Sequence, residues 1–341
     1  MQKKLNKKHY ILLLLLIVFA VNTYAQQGIE LSQPYMSSQF LSPATVGNGN
    51  YEQRIQSNLK SQFLDGNNLY RTLVSGWDSR FKNADPEQKN YFGVGAQVIS
   101  DQAMSGLLNS NYITLDFAYH LFLDANLQNE LSLGLGVTYG QTYLDRSKLR
   151  FGEGFNIDGT YTDGNYDYLN SIKSFPQDFY YNTGLLFTRH TENIFLQGGI
   201  TASFLSKPKT LVLSVDTASG MKSSAFFNFE KVLENGSTFM THLSFSNKNG
   251  LNQAVVGGLY SFPFKDKTNK INRIYIGCFS RLEDAIIPSV SLMMDKYTFG
   301  LSYDIYNNDL SGAKLKQNGF EIALSVSLGK KRNEWMRTIF D

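Results

Sequence analysis

The stretch that decides the fold is LSLGLGVTYG, from Leu131 to Gly140. Its alternate residues form an apolar set, Leu131, Leu133, Leu135, Val137 and Tyr139, and a small or polar set, Ser132, Gly134, Gly136, Thr138 and Gly140. Because successive side chains of a β-strand point to opposite faces, the stretch predicts a strand with one apolar face. That face must meet either a packed protein core or lipid.

The same alternation recurs along most of the chain. Most of the segments have 10–13 residues, which is longer than the roughly five or six residues of globular strands. A tilted membrane strand needs about 9–11 residues, so segment length favours lipid. We predict fourteen strands, at 51–63, 69–81, 91–100, 110–123, 131–144, 178–189, 193–205, 223–233, 237–246, 251–262, 272–281, 285–294, 296–306 and 319–329.

The second face of these segments carries few charges. In KYTFGLSYDIY (296–306) and GFEIALSVSLG (319–329) it is mostly Gly, Ser and Thr, and elsewhere Asn and Gln are added. A soluble secreted sandwich, the alternative, usually carries many charges on its outward faces. Outer-membrane barrels alternate apolar residues outward with polar residues inward, so we expect the polar faces to line a lumen.

Composition agrees with a barrel. Charged residues are 18% of the 341 and aromatic residues 14%, whereas soluble domains usually carry about 25% charge. The net charge is only +3, from 32 basic and 29 acidic residues, so the composition does not indicate a nucleic-acid-binding protein. Cys278 is the only cysteine, so no intrachain disulfide is possible, and it falls on the apolar face of its strand.

The N-terminus has the pattern of a signal peptide. Four lysines precede the apolar run ILLLLLIVFAV, and Thr23 and Ala25 fit the positions before a cleavage site. The run is shorter than the roughly 20 residues of a membrane-spanning helix. We therefore expect a signal peptide at 1–25 and a mature chain that starts at Gln26. No cysteine follows that site, so no lipoprotein anchor is expected.

Two segments flank the barrel, which we place at 51–329. Residues 26–50 are irregular in sequence, and we expect them in the periplasm or in the lumen. Residues 330–341, KKRNEWMRTIFD, form a basic tail. The tail is either an anchor at the inner membrane interface or a docking helix for a periplasmic partner, through Lys331, Arg332, Trp335 and Arg337.

Connection lengths predict the orientation. The three longest connections, 145–177, 206–222 and 307–318, all join an odd-numbered strand to an even-numbered one. Outer-membrane barrels have short periplasmic turns and longer outer loops. We therefore predict an all-β, closed antiparallel transmembrane β-barrel of about 14 strands with periplasmic termini.

Catalytic motifs are not found. The histidines His9, His120, His190 and His242 are scattered, and HExxH and CxxC spacings do not occur, so no metal or other cofactor is expected. The GxG repeats do not precede a helix, which excludes a phosphate loop. A Ser–His hydrolase would need a third orienting group, and nothing in the sequence places one. We therefore expect that the protein is not an enzyme.

Charges on the polar faces form the candidate site. A Lys or Arg facing lipid at mid-depth would cost roughly 2–4 kcal/mol, so these side chains should point inward. They are either ion pairs that fix the shape of the barrel or a surface that binds an inserted segment or a solute. The candidate lumen network is Arg54, Asp78, Arg80, Asp116, His120, Arg281, Asp304 and Glu321, with Lys60 on the same face.

Five stretches together resemble a known family. They are LSQPYMSSQFLSPATVG, YFGVGAQVISDQAMSG, AYHLFL followed by NELSLGLGVTYGQTYLDRSKLRF, SRLEDAIIPSVSL, and FGLSYDIYNNDL with GFEIALSV. In order and spacing they are similar to the PorP/SprF-type outer-membrane proteins of the type IX secretion and gliding-motility machinery. Ser42 stands where the family has Asn. The matched residues are Pro43, Ala44, Gly47, Asp101, Gly106, Tyr119, His120, Leu133, Gly134, Gly136, Arg281, Asp284, Ala285, Ile286, Tyr303, Asp304, Glu321 and Ile322.

The resemblance implies a non-enzymatic barrel in the outer membrane of a Gram-negative bacterium. Its partners would be outer-membrane lipid, periplasmic components of the type IX machinery, and a large secreted cargo or adhesin with a C-terminal sorting domain. The barrel would be needed for secretion or surface anchoring of that cargo. The alternative function is a general porin or small-molecule transporter, and a lumen filled by residues 26–50 would argue against free diffusion.

Overall fold

Fourteen antiparallel strands close into one barrel. A computed structural model describes residues 29–64, 67–82, 89–145, 177–205, 221–248, 251–265, 271–307 and 317–330, with Asn156, Asp158 and Thr160. Strands follow in sequence order, and β1 pairs with both β2 and β14. The bounds are β1 Gln53–Leu64, β2 Asn67–Lys82, β3 Tyr91–Ala103, β4 Leu108–Phe122, β5 Asn129–Leu144, β6 Gln177–His190, β7 Ile194–Leu205, β8 Lys222–Val232, β9 Thr238–Lys248, β10 Leu251–Lys265, β11 Ile271–Arg281, β12 Ala285–Met294, β13 Tyr297–Tyr306 and β14 Gln317–Leu328.

The predicted closed β-barrel is confirmed. Closure leaves no sheet edge, so every strand finds a hydrogen-bonding neighbour on both sides, as a bilayer demands. The largest boundary error is three residues, at β3, which ends at Ala103 rather than 100, and at β10, which ends at Lys265 rather than 262.

Strand β5 shows how the alternation becomes two surfaces. Leu135 is 57% exposed, with Leu133 and Val137 exposed beside it, whereas Ser132 and Gly134 are buried. Exposed large apolar side chains continue on the outward faces of the other strands. A soluble protein rarely exposes apolar patches larger than a few hundred Å², so this band is a lipid-facing surface.

The two ends of the barrel differ in their connections. At the turn end, where β1 begins and β14 ends, the connections are 83–90, 123–128, 191–193, 233–237, 266–270 and 295–296. At the loop end they are 65–66, 104–107, 145–176, 206–221, 249–250, 282–284 and 307–316. The three longest connections all lie at the loop end, which is the asymmetry of outer-membrane barrels.

The inward faces are not uniformly polar, and here the expectation was wrong. Strands β7 and β9–β12 turn large apolar side chains inward, and these are buried. The reason is that they pack against Tyr35 and Met36, which lie inside the barrel, rather than against water. These inward residues, named the apolar side, are Phe195, Met240, Val255, Leu259, Tyr275, Phe279 and Ile287.

Within the described ranges, helical structure is confined to short turns. One α-helical turn, α1, spans Ser38–Leu41, between 3₁₀ turns at Pro34–Met36 and Pro43–Thr45. A further 3₁₀ turn, Met104–Gly106, joins β3 to β4. In the part of the chain that the structure describes, no helix is long and apolar enough to cross a bilayer.

Candidate functional site

Residues 29–50 occupy the barrel lumen and are named the plug segment. Nearly every residue from 31 to 50 is buried, and the plug segment bonds to inward side chains of strands on several sides of the barrel. An irregular backbone inside a barrel has N–H and C=O groups that its own short helical turns leave open, and these need partners. The inward-facing polar side chains supply many of them.

Glu321 binds the start of the plug segment through main-chain donors. The Ser32 N–H donates to one carboxylate oxygen at 2.6 Å, and the Gln33 N–H donates to the other at 3.0 Å. Asn58 Nδ2 also donates to that carboxylate, at 2.7 Å, and its second bond, at 3.2 Å, goes to the Gln33 carbonyl. Two consecutive peptide N–H groups are thus fixed by one buried carboxylate on β14.

Asp304 is the centre of a buried ion cluster beside Glu321. Lys60 Nζ lies 3.0 Å and Arg281 Nη2 lies 2.8 Å from the same Asp304 oxygen. The Ser32 hydroxyl donates to the other oxygen at 2.6 Å. Removing one partner of such a buried pair typically costs 3–5 kcal/mol, because an uncompensated charge remains.

Arg281 connects this cluster to the first charged residue of the plug segment. Its Nε lies 3.5 Å from Glu30, and its Nη1 lies 2.7 Å from Asp284 in the connection 282–284. One guanidinium on β11 therefore contacts the plug segment, β13 and an adjoining connection.

The middle of the plug segment is held on both sides of α1. Ser38 N–H donates to the Gln56 side-chain oxygen at 3.1 Å. Gln39 Nε2 donates to the Asp116 carboxylate at 2.8 Å, and Thr201 donates to the Leu41 carbonyl at 3.1 Å. These contacts come from β1, β4 and β7, so the helical turn is fixed across the lumen.

Asp78 binds the last part of the plug segment. It accepts the Gly47 N–H at 2.7 Å and forms a two-pronged ion pair with Arg54, with Nε 3.0 Å and Nη2 3.2 Å away. Gly47 has φ +77°, and a Cβ there would overlap the Gly93 backbone. Glycine is required here because the conformation is left-handed and the approach to β3 is close.

A second carboxylate, Glu130, holds the neighbouring residues. Asn48 donates to it at 2.5 Å and the Tyr91 hydroxyl at 2.8 Å. His120 lies 3.0 Å away through Nδ1, while its Nε2 is 2.8 Å from the Val46 carbonyl. Because a carbonyl oxygen only accepts, Nε2 carries the hydrogen.

Inward-facing glycines give the plug segment its room. A Cβ on Gly134 would overlap the backbone of Pro43 and Ala44, and a Cβ on Gly184 would overlap the Ser42 hydroxyl. A Cβ on Gly93 would likewise overlap the carbonyl group of Val46. Gly134, on the inward face of LSLGLGVTYG, therefore adjoins the plug segment and not open water.

The structure divides the residues of the predicted lumen network into separate groups. Arg281, Asp304 and Glu321 lie together near the loop end, and Arg54 pairs with Asp78 near the turn end. Asp116 and His120 each bind the plug segment separately. Arg80 is also buried, with its guanidinium 6.0 Å from the Tyr91 ring. All eight residues are buried and face inward: Arg54, Asp78, Arg80, Asp116, His120, Arg281, Asp304 and Glu321.

Some binding residues were missed from the sequence. Glu130 lay one residue outside the predicted strand, although its parity with Ser132 marks it as inward. Glu30 and Asn48 lie in a segment with no periodicity. The predicted docking residues of the tail, Lys331, Arg332, Trp335 and Arg337, are outside the described residues.

The chemistry of the site is that of attachment. Among the described residues, no group of three or more His, Cys, Asp or Glu side chains is placed to hold a metal ion. Most of the inward carboxylates described above accept hydrogen bonds or pair with cations. The arrangement orients a segment of the same chain inside the barrel.

A comparison with protein families identifies one match. The family model described as type IX secretion system membrane protein PorP/SprF matches residues 23–326. That range contains the whole plug segment and all but the end of β14. A search of curated proteins finds no match.

Solved structures show similar barrels at low identity. CdiB from Acinetobacter baumannii is 9% identical with a TM-score of 0.45, covering 80% of this chain and 60% of its own. The Pseudomonas putida toluene transporter TodX is 11% identical with a TM-score of 0.45, covering 89% and 95%. The KdgM porin in complex with disordered oligogalacturonate is 11% identical with a TM-score of 0.38, covering 80% and 99%. The chain thus spans three fifths of the length of CdiB, and these likenesses concern the fold alone.

Proposed function

The chain belongs to the PorP/SprF family of type IX secretion system membrane proteins, and from this premise we propose that it serves the export of a cargo protein. The cargo, such as an adhesin, would need this barrel for secretion or for surface anchoring through its C-terminal domain. The barrel would act without catalysis, in the outer membrane of a Gram-negative bacterium.

The occupied lumen is the observation that favours anchoring over diffusion. A porin needs a water-filled channel, whereas Glu321 and Asp78 bind main-chain N–H groups of the plug segment at the two ends of this lumen. Releasing the segment would remove these main-chain donors from the buried carboxylates. The fixed plug segment supports a rigid attachment scaffold over the alternative of a general porin or small-molecule transporter.

The surfaces left for partners are the two ends of the barrel. The loop end has the long connection 145–176, and we propose that cargo is received there. The tail after Leu328 starts at the turn end, and its basic and aromatic residues Lys331, Arg332, Trp335 and Arg337 would bind periplasmic components of the machinery.

Gene deletion tests the export role. The surface display of secreted proteins that carry a C-terminal sorting domain is measured by protease digestion of whole cells. We expect display to be lost in the deletion strain and restored by the wild-type gene. Unchanged display in the deletion strain would contradict the proposal.

Conductance separates anchoring from transport. Purified barrel in planar bilayers should be non-conducting, because the plug segment fills the lumen. A barrel that lacks residues 29–50 should conduct, and this variant is the matched control that shows insertion into the bilayer. Steady conductance of the full-length barrel would favour the porin.

A further inference from the structure

The plug segment begins at the loop end of the barrel. Glu30 contacts Arg281, the last residue of β11, and Arg281 in turn binds Asp284 in the loop-end connection 282–284. Ser32, two residues later, bonds to Asp304 near the loop-end terminus of β13.

The next contacts lie progressively deeper in the lumen. Gln33 reaches Ser302, and Ser37 reaches Asn58 in the middle of β1. Ala44 then lies against Gly134, which is in the turn-end half of β5.

The plug segment finishes at the turn end. The Val46 carbonyl bonds to His120, which is near the end of β4, and Asn48 bonds to Glu130, the second residue of β5. Strand β1 then starts at Gln53. The segment therefore runs the full height of the lumen in one direction, and only a few residues separate it from the first strand.

From this path we propose that Ile29, where the plug segment begins, lies at the outer face of the membrane, opposite the face where β1 begins and β14 ends. Fourteen strands and the plug segment then make an odd number of crossings. The outward direction rests on the proposed outer-membrane location, with the loop end outside. The threading itself rests only on the contacts. Ile29 is thus the outer end of a segment that contacts both faces.

The path also constrains assembly. A chain delivered to the periplasm must send its first residues through the lumen to the loop end. Because β1 pairs with β14 over all twelve residues of β1, the seam between them must close around a segment already in place. A folded domain fused before Ile29 would have to pass through the closed barrel or be enclosed by it.

Cysteine labelling in whole cells tests the topology. The native thiol is removed with Cys278→Ser, and single cysteines are placed by Ile29→Cys, by Leu282→Cys at the loop end, or by Glu234→Cys at the turn end. Leu282 and Glu234 are exposed, and Ile29 is half-buried. The probe is a maleimide attached to a polymer too large to cross the outer membrane, and labelling is read as a band shift on a gel.

We expect the Ile29→Cys and Leu282→Cys variants to shift in intact cells and the Glu234→Cys variant to shift only after lysis. If Ile29→Cys follows Glu234→Cys instead, or reacts only after denaturation, the threading is wrong. If Ile29→Cys and Leu282→Cys both need lysis while Glu234→Cys reacts in cells, the threading stands but the proposed outward direction is wrong. The cargo display assay is independent of all three outcomes.

Discussion

The plug segment meets two different surfaces inside one barrel. On the polar side, inward residues of β13, β14 and β1–β5 bind it through hydrogen bonds and ion pairs; they include Asp304, Glu321, Asn58, Asp78, Asp116 and Glu130. On the apolar side, Tyr35 and Met36 pack against buried apolar residues. The Tyr35 ring stacks on Phe279, with centroids 5.1 Å apart.

The two sides contribute differently to holding the plug segment. An irregular backbone in a low-dielectric space needs acceptors at fixed positions, and carboxylates provide two acceptor oxygens each. Those on the polar side therefore set the path of the plug segment residue by residue. The apolar side contributes burial, which is non-directional. Position should therefore depend on the polar side, and stability on both.

The largest effect is expected from Glu321→Ala on the polar side. The change leaves the Ser32 and Gln33 N–H groups and the Asn58 side-chain amide without their carboxylate acceptor, whereas Lys60 keeps its ion pair with Asp304. Each buried donor that is left unsatisfied costs about 1–3 kcal/mol. We expect a fall of about 4 kcal/mol in the free energy of unfolding in detergent, together with channel activity, because the start of the plug segment is released.

The matched control is Glu234→Ala, which removes an exposed carboxylate from a turn. Surface changes of this kind usually stay within about 0.5 kcal/mol. Equal stability of the Glu321→Ala and Glu234→Ala barrels would show that the carboxylate does not hold the plug segment.

Tyr35→Ala tests the apolar side. Tyr35 is fully buried, and truncating a large aromatic side chain costs about 3–5 kcal/mol. We expect about 3 kcal/mol, since the adjacent Met36 is flexible enough to fill part of the cavity. Conductance should stay absent, because the polar anchors persist. Tyr35→Phe, which retains the ring, is the control. Channel opening by Tyr35→Ala would erase the proposed distinction between the two sides.

The strands could be predicted from the sequence, whereas for the plug segment the sequence left the periplasm and the lumen as alternatives and predicted none of its contacts. The period-two alternation of stretches such as LSLGLGVTYG predicts that the segment is a strand, how long the strand is and which of its faces points inward. It can do so because the lipid side requires apolar side chains and the lumen side accepts small or polar ones. Ser32 and Glu321 are 289 residues apart, and no local pattern joins them. Parity identified Glu321 as inward, but its partner lies in a segment without periodicity. The inward apolar residues of the apolar side were not predicted for the same reason, because Tyr35 and Met36, against which they pack, lie in that segment.

Gly134→Ala tests how closely the plug segment fits. The new Cβ would overlap the backbone of Pro43 and Ala44, and overpacking costs typically 1–3 kcal/mol. We expect about 2 kcal/mol, measured as a lower temperature for unfolding on a heated gel. The control is Gly198→Ala on the same type of strand, where a Cβ comes no nearer than 3.7 Å to any atom. If both alanine variants unfold at the wild-type temperature, the lumen has more room than these contacts allow.

The smallest effect is expected at Ser42, where the chain departs from the family's Asn. The Ser42 hydroxyl accepts the Ala44 N–H at 3.2 Å and caps the 3₁₀ turn Pro43–Thr45. Replacing a capping serine with alanine costs about 1 kcal/mol, whereas replacing it with glycine costs only a few tenths. We therefore expect Ser42→Ala to lower the free energy of unfolding by about 1 kcal/mol and Ser42→Gly by less. If glycine is the more harmful change, the Cβ that alanine retains contributes more here than the cap does.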